Sequence, residues 1–366
     1  MKRRDFTRLL LASPFLASAF RALAAGPADS FRARLETIRA RHDLPGMAAL
    51  ALLGGKIVEH EAVGVRKIGS STPIAKTDRF HIGSCTKSMT ATLAAMMVEE
   101  GKLRWDTTVA EALPQLKIHP DYRAVTLDQL LRHRGGLPEH APAELWSRAW
   151  KREGTPMTQR ARFVASLLAA PPAHAPGSRH VYSNQGYAVA GHMLETVANR
   201  PWEELMRTRL FGPLGMSSAG FGVPDRLGQV AEPWGHTRKG GRMTPVQQDN
   251  PPAIGPGATV HCSLGDLATY ARLHLDAGRT EKLLRPESFR HLHTPHSGEE
   301  YACGWISVER GWARGRALTH AGSNTYWYVV MWLAPKRNFA AIAATNVGDA
   351  DQACDEAIAS LISRWL

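Results

Sequence analysis

The feature that most constrains the fold is a set of strand-forming segments placed at opposite ends of the chain. Residues 46–53 and 56–65 are rich in strand-forming side chains, and Gly54-Gly55 between them predicts a hairpin. Near the carboxyl end, further strands are predicted over residues 301–309, 316–320, 326–333 and 339–345. Because hairpin-linked strands pair antiparallel, we expect one antiparallel sheet assembled from both ends of the chain.

The middle of the chain predicts mostly helix. Pro- and Gly-rich loops are predicted within it over residues 170–177, 239–244 and 250–257. The fold class is therefore α/β in the α+β sense, with an antiparallel sheet flanked by helices at 30–43 and 351–366 and with a large, mainly helical insertion.

Residues 26–366 form one domain in this interpretation. Its α/β part covers about residues 26–83 and 300–366, and its helical part covers about residues 84–299. Ligands are expected in a cleft between the two parts.

A Ser-x-x-Lys tetrapeptide, Ser84-Cys85-Thr86-Lys87, occurs once in the chain. A strand-like run ends at Gly83, and apolar residues at helical spacing follow as far as Gly101. Ser84 would then lie in the first turn of a helix, with Lys87 on the same face. The positive helix end and the nearby cation favour oxyanion character, so Ser84 is a candidate nucleophile; the alternative is that its hydroxyl caps the helix.

Two further motifs accompany this tetrapeptide. Tyr182-Ser183-Asn184 is the only Tyr-x-Asn, and His320-Ala321-Gly322 precedes an apolar strand. With these motifs in this order, the chain resembles the class C β-lactamase-related family, which groups class C β-lactamases, DD-peptidases and many esterases, and whose fold is β-lactamase/transpeptidase-like. The resemblance runs from Phe31 to Leu366 and includes shorter motifs at Leu130–Pro138, Pro176–Tyr187, Pro213–Met216, Gly265–Ala268 and Thr345-Asn346.

The resemblance implies three catalytic residues. Ser84 is the nucleophile, and Lys87 accepts its proton or holds its oxygen, which requires a lowered lysine pKa in a desolvated cleft. Tyr182 is a second acid/base group that protonates the leaving group. Without the resemblance, an ordinary half-buried tyrosine is the preferred interpretation of Tyr182.

The resemblance also implies a binding and stabilising set. The backbone N–H groups of Ser84 and Ser323 form an oxyanion hole, and Gly322 lets the substrate backbone approach closely. Asn184 binds a substrate amide or steadies Lys87; its alternative is the N-cap of the following helix.

His320 is where the chain departs from the family. The family's β-lactamases carry lysine at this position, whereas a histidine is mostly neutral near pH 7. We therefore expect His320 to contact substrate, and we expect an ester or amide substrate to be favoured over a β-lactam.

The chain also contains clustered histidines and four cysteines that could be reactive. His291, His293 and His296 lie within six residues and could suggest a metal, but surface histidines are the default interpretation. No metal or organic cofactor is expected. Four cysteines, Cys85, Cys262, Cys303 and Cys354, allow three disulfide pairings, and the sequence does not choose among them. Cys85 as a reactive thiol is disfavoured, because it points away from Ser84 around the helix.

The first 25 residues are predicted to be a twin-arginine-type signal peptide. Lys2-Arg3-Arg4 precedes an apolar stretch from Leu9 to Phe20, and small residues follow. A membrane anchor is the alternative, but Pro14 and Arg21 interrupt the apolar run. We therefore expect a periplasmic or secreted protein.

The charge and the apolar pattern limit the partners. Net charge is +12, and it falls to about +8 without the first 24 residues, which carry five basic and one acidic side chain. A positive field of this size would attract anionic partners such as cell-wall material. No basic run is interleaved with aromatic residues, so nucleic acid is not expected, and no apolar run in the mature chain is long enough to span a membrane.

The leading hypothesis is an exported serine hydrolase that acts through an acyl-enzyme on Ser84. Carboxylesterase activity ranks above D-alanyl-D-alanine-type peptidase activity, and β-lactamase activity ranks third. A hypothesis of another class is a catalytically silent protein that binds cell-wall peptides. Several tryptophans could line an apolar acyl pocket or pack in the core, namely Trp146, Trp150, Trp234, Trp327 and Trp332.

Overall fold

A computed structural model describes residues 30–277, 279 and 283–366. The predicted signal peptide, residues 1–25, lies outside the described residues. The helices are α1 (Phe31–Arg41), α2 (Thr86–Glu99), α3 (Val109–Ala112), α4 (Leu127–Leu131), α5 (Ala143–Trp150), α6 (Pro156–Ala169), α7 (Asn184–Ala198), α8 (Trp202–Leu205), α9 (Gly212–Leu214), α10 (Gly255–Ala258), α11 (Leu264–Leu275), α12 (Pro286–His293) and α13 (Asp351–Trp365).

The strands are β1 (Gly46–Leu53), β2 (Lys56–Gly64), β3 (Arg79–His81), β4 (Gly220–Phe221), β5 (Gly235–Lys239), β6 (Arg242–Val246), β7 (Val260–Ser263), β8 (Ile306–Arg310), β9 (Gly315–Ser323), β10 (Tyr328–Ala334) and β11 (Phe339–Thr345). A π-helical stretch covers Met206–Phe211. Short 3₁₀ turns occur at Gly83–Cys85, Pro120–Tyr122, Pro252–Ile254, Gly311–Ala313 and Pro335–Arg337.

The main sheet joins the two ends of the chain, as the sequence predicts. Its six strands follow the order β2-β1-β11-β10-β9-β8, and the neighbouring pairs are antiparallel. The pair β1–β11 is the seam, where Ala49 lies opposite Ala343. The predicted fold class is therefore confirmed.

Both faces of this sheet are covered, which explains why β1 and β11 are apolar along their whole length. Met47 and Ala49 point toward one layer, which includes Phe31 and Leu35 of α1 and also α13. Leu50 and the other alternate positions of β1 point into a second, larger core shared with the helical part.

The helical part is built around α2, of which all but the last turn is buried. Four strands here were not predicted from the sequence: β4 and β7, which join the predicted β3 in a three-stranded sheet of order β3-β7-β4, and β5 and β6, which form a hairpin. The predicted loop at 239–244 is wrong, because Gly240 and Gly241 both adopt positive φ and close that hairpin. The predicted loop at 250–257 folds instead into a 3₁₀ turn followed by most of α10.

Within the described residues, the helices are all too short or too polar to cross a bilayer.

Candidate active site

Ser84 lies at the junction of β3 and α2, inside the 3₁₀ turn Gly83–Cys85. Gly83 adopts φ +50°, which only glycine reaches at little cost, and a Cβ there would collide with the backbone nitrogen of Ser323. The Ser84 side chain is almost buried, at 9% exposure. The N-cap position of α2 belongs to Cys85 and no side-chain oxygen caps it, so the alternative role of Ser84 as a helix cap is wrong.

Lys87 is an ionisable neighbour in direct contact with the Ser84 hydroxyl. Its Nζ lies 3.1 Å from Ser84 Oγ. The same Nζ donates to Asn184 Oδ1 at 2.6 Å and to the Gly257 carbonyl at 2.9 Å. Gly257 belongs to α10, a stretch that the sequence analysis treated as a loop.

The protonation state of Lys87 follows from its burial. The side chain is fully buried, and desolvation lowers its pKa well below the ordinary value of 10.5. A neutral amine has two hydrogens and one lone pair. Since Asn184 and Gly257 accept the two hydrogens, the lone pair is left to accept the hydroxyl proton of Ser84.

Asn184 makes the predicted contact with Lys87, while its predicted contact with a substrate amide stays a prediction. Its Oδ1 holds Lys87, and it is the first residue of α7. The helix N-cap is Ser183, whose hydroxyl accepts from the Gly186 N–H at 3.3 Å. The N-cap alternative for Asn184 is therefore wrong.

Tyr182 lies on the other side of the lysine. Its ring is centred 4.6 Å from Lys87 Nζ, and burial raises the pKa of its phenol above the usual 10. The nearby Ser84 side chain lowers this pKa and so offsets part of the effect of burial. The buried Tyr182 hydroxyl nevertheless makes no hydrogen bond of normal geometry within the described part of the chain. Tyr182 is thus a neutral phenol with a free donor beside the nucleophile.

His133 holds the segment that carries Tyr182, and sequence reasoning missed this role. Its Nδ1 accepts from the Ser183 N–H at 3.0 Å, and its carbonyl accepts from the Val181 N–H at 2.9 Å. Its ring is centred 4.4 Å from the Tyr182 ring. His133 adopts φ +60°, so its backbone is held in a conformation that few residues adopt. The Leu130–Pro138 motif contains His133 and was the available signal.

The predicted oxyanion-hole segments meet face to face. A Cβ on Gly322 would lie 2.6 Å from the Ser84 nitrogen, so only glycine allows this approach. Pairing between β8 and β9 ends at Ile306 and Thr319, which leaves the following residues of β9 without a strand partner on that edge in the described chain. A substrate could lie along this open edge. The assignment of the Ser84 and Ser323 N–H groups as donors stays a prediction.

His320 has its ring nitrogens occupied. Its Nδ1–H donates to the Ala321 carbonyl at 2.7 Å, and its Nε2 accepts from the Tyr301 hydroxyl at 3.1 Å. The side chain is 3% exposed, and burial lowers its pKa to about 3. His320 is therefore neutral, and contact with substrate, which stays a prediction, would require Tyr301 to move.

The cysteines are all free and buried. The Cys85 Sγ lies 3.4 Å from the His320 carbonyl, under β9, and burial raises its pKa to about 12. A buried, protonated thiol is a poor nucleophile, so Cys85 packs against the sheet.

The three predicted histidines separate into two environments. His293 is buried and its Nε2 lies 2.8 Å from His274 Nδ1.

The second environment surrounds Asp128. His291 and His296 approach its carboxylate, at 2.7 Å and 3.5 Å. Cys303 completes a candidate metal-ligand cluster with Asp128 and His291. The Arg132 guanidinium lies 2.8 Å from the same carboxylate. Burial raises the pKa of Asp128, but His291 and Arg132 lower it more strongly and hold it at about 2. Arg132 thus supplies the positive charge that a metal ion would bring.

The five tryptophans do not form one pocket. Trp327 is fully buried and stacks on His81, while Trp332 packs against Trp312 on the opposite face of the sheet. Trp146 and Trp150 contact each other on α5. The structure therefore does not assemble the acyl pocket that the sequence suggested.

Comparison with known proteins agrees with the fold. A family model described as Beta-lactamase matches residues 31–362. Penicillin-binding protein 4 of Amycolatopsis lactamdurans is 27% identical over 336 residues, which cover 86% of this chain and 84% of the relative. Unguisins hydrolase ungD of Aspergillus violaceofuscus is 30% identical over 241 residues, or 62% of this chain and 41% of that protein. The solved D-stereospecific amidohydrolase from Streptomyces sp. superposes with a TM-score of 0.71 at 22% identity, over 88% of this chain and 97% of that one.

Proposed function

This chain belongs to the beta-lactamase family, and from that membership we propose that it is a serine hydrolase working through an acyl-enzyme on Ser84. The observation that carries the proposal is the placement of Lys87. A buried amine with a lowered pKa lies 3.1 Å from a serine hydroxyl, and its two other contacts are acceptors that fix its orientation. This is the arrangement that an activated serine needs.

In the acylation step, Ser84 Oγ attacks the substrate carbonyl carbon and its proton passes to Lys87 Nζ. The carbonyl oxygen becomes an oxyanion, which the N–H groups of Ser84 and Ser323 stabilise. The bond to the leaving group then breaks, and Tyr182 supplies the proton that the leaving alkoxide or amine takes up. Lys87 returns its proton to Tyr182.

In the deacylation step, a water molecule attacks the acyl-ester carbon. Lys87, neutral again, takes a proton from that water as the new carbon–oxygen bond forms. The Ser84–acyl bond breaks, Ser84 recovers a proton from Lys87, and a carboxylic acid leaves. Apart from the substrate and this water, the two steps balance with the side chains of Ser84, Lys87 and Tyr182.

The substrate class that we propose is an ester or an uncharged amide. His320, at the position of the family's lysine, is neutral and buried, so it offers no fixed cation to a substrate carboxylate. The names of the relatives, which include a penicillin-binding protein and an amidohydrolase, support amide substrates as well. Carboxylesterase activity remains our first proposal, ahead of D-alanyl-D-alanine-type peptidase and β-lactamase activity.

The test is hydrolysis of p-nitrophenyl butyrate, p-nitroanilide-bearing D-amino-acid peptides and a chromogenic cephalosporin by wild type and Ser84→Ala. Ser88→Ala is the matched control, because Ser88 is a buried serine one turn along α2 whose hydroxyl donates to the Cys85 carbonyl. We expect ester hydrolysis that Ser84→Ala abolishes and Ser88→Ala preserves. Folded wild-type protein that binds D-peptides without turning over any of these substrates would instead favour the silent binding protein.

We further propose that the enzyme acts outside the cytoplasm. The support is the sequence of residues 1–25, with its paired arginines and apolar stretch. The four free, buried cysteines also fit, because a fold without disulfides can form before export. Replacing both Arg3 and Arg4 by lysine should leave the protein in the cytoplasmic fraction; unchanged export would contradict a twin-arginine signal.

A further inference from the structure

A buried polar pair lies behind the candidate oxyanion hole, and the mechanism above does not use it. His81 is the last residue of β3 and is fully buried, and Asp249 is 4% exposed. The His81 Nε2 and the Asp249 Oδ1 are 2.7 Å apart, although the oxygen lies off the line of the N–H bond. Burying polar groups of this kind is costly unless their neighbours satisfy them, so the partners of the pair indicate its role.

On one side, the pair holds the nucleophile turn. The His81 Nδ1 accepts a hydrogen bond from the Gly83 N–H at 3.1 Å, one residue before Ser84. Since Nδ1 is the acceptor, a neutral His81 carries its proton on Nε2, which faces Asp249. The ring also stacks on Trp327, with centroids 5.9 Å apart, which limits its rotation.

On the other side, the pair holds the end of β9. Asp249 Oδ1 accepts from Asn324 Nδ2 at 3.3 Å, and Asn324 directly follows Ser323. Asn324 Oδ1 in turn accepts from the N–H groups of Tyr326 and Trp327, at 3.2 Å and 3.3 Å, and so fixes the turn into β10. Asn324 is 4% exposed, so this connection is as buried as the pair itself.

We propose that His81 and Asp249 are a positioning pair that sets the separation of the Ser84 and Ser323 N–H groups. One end of the pair is tied to Gly83 and the other to Asn324, the residues next to the two donors. An oxyanion hole works only when both donors lie at hydrogen-bonding distance from the developing oxyanion, so a small change in their separation costs rate. The proposal rests on the proposed function, because it assumes that these two N–H groups bind the oxyanion.

Substitutions at His81 can separate its two contacts. In His81→Asn, the side-chain oxygen comes near the position of Nδ1 and keeps the acceptor for Gly83. In His81→Gln, the amide reaches the position of Nε2 and keeps the contact with Asp249, but the acceptor for Gly83 is lost. Asp249→Leu removes the link to Asn324 while keeping a side chain that branches at Cγ. His293→Gln is the control, since His293 is a buried histidine bonded to His274 and touches neither turn.

The measurements are kcat and KM for p-nitrophenyl butyrate and the Kd of an alkyl boronic acid, whose serine adduct places an oxygen in the oxyanion hole. We expect His81→Gln and Asp249→Leu to lower kcat by about tenfold to a hundredfold and to weaken boronic acid binding in parallel, with KM changed less than about threefold. His81→Asn should retain more activity than His81→Gln, and His293→Gln should resemble wild type.

Crystal structures provide a readout that does not depend on activity. We expect the distance between the Ser84 and Ser323 nitrogens to change by about 0.5 Å or more in His81→Gln, the scale at which donor geometry begins to matter. An unchanged distance, or kcat within twofold of wild type in folded His81→Gln and Asp249→Leu, would overturn the proposal. An equal loss in His293→Gln would also overturn it, by showing a general effect of buried histidines. Hydrolysis that survives Ser84→Ala would instead count against the proposed function.

Discussion

Lys87 Nζ lies 3.1 Å from Ser84 Oγ while its side chain has no exposure to solvent. Among the described residues, this nitrogen makes polar contacts with Ser84, Asn184 and Gly257, and none of these is an acid that would keep it charged. Burial therefore sets the protonation of the group beside the nucleophile.

Replacing Lys87 by methionine should abolish activity. It should also remove the part of the pH dependence of stability that comes from proton uptake by Lys87 on unfolding. Because the folded pKa of Lys87 is lowered, the unfolded chain binds a proton that the folded protein does not, at pH values between that pKa and about 10.5. Wild-type stability should therefore rise with pH across this window, by up to about 1.4 kcal/mol per pH unit from this group.

The measurement is the free energy of unfolding of wild type and Lys87→Met at several pH values. The difference between the two should shift in favour of wild type as the pH rises. Lys76→Met is the control, since Lys76 is half exposed and pairs with Glu61 at the surface. A pH-independent difference for Lys87→Met would show that the lysine is charged in the folded state.

Tyr182→Phe should affect substrates according to their leaving group. Burial keeps the phenol protonated, so its role is to donate a proton. An amide loses an amine that must be protonated, whereas p-nitrophenolate leaves without help. We expect kcat for an anilide to fall by about a hundredfold or more and kcat for the p-nitrophenyl ester to fall by less than about tenfold. Equal losses would assign Tyr182 to another step.

His133→Ala should loosen the segment that carries Tyr182. The buried Ser183 N–H would lose its acceptor, at a cost of about 1–3 kcal/mol in unfolding free energy. His133→Asn is the matched variant, because asparagine tolerates positive φ and offers an oxygen near the position of Nδ1. Asparagine should recover most of the lost stability and kcat in denaturant melts and ester assays. If both variants behave alike, the hydrogen bond to Ser183 is unimportant.

The stability of the protein should begin to fall at pH values above those at which carboxylates ordinarily titrate. Burial lowers the pKa of several histidines from 6.5 to about 4 or about 3, namely His60, His236, His261, His293 and His320. Their unfolded forms bind protons below pH 6.5 while the folded forms do not, so stability is lost as pH falls from 6.5 toward 3. Chemical denaturation at pH 7 and pH 5 should show the fall, and His293→Gln should reduce it. A flat profile would contradict neutral buried histidines.

The sequence predicts the main sheet because its strands carry their own signals. Gly54-Gly55 marks the first hairpin, and the fully apolar β11 indicates a strand that is covered on both faces. The hairpin of β5 and β6 was missed because its strands are polar and half exposed, so only Gly240-Gly241 signalled it.

The sequence predicts the catalytic residues of the candidate site, but it does not predict the residues that hold them in place. Ser84, Lys87 and Tyr182 are recognisable from short patterns, and the structure brings them together. The supports of these residues, which are Gly257, His133 and the His81–Asp249 pair, come from distant segments whose contacts no local pattern encodes. The Gly257 carbonyl contributes only its backbone, so its residue type gives no indication of the contact with Lys87.

The central claim is that Ser84 forms the acyl-enzyme, and trapping that intermediate tests it most directly. Wild-type protein quenched in acid during turnover of a slowly deacylated ester should carry one acyl group, as read by intact mass spectrometry. Peptide mapping should place the added mass on Ser84, and Ser84→Ala should carry none. An acyl group on Cys85 or Tyr182, or turnover without any adduct in the Ser84 peptide, would contradict the account.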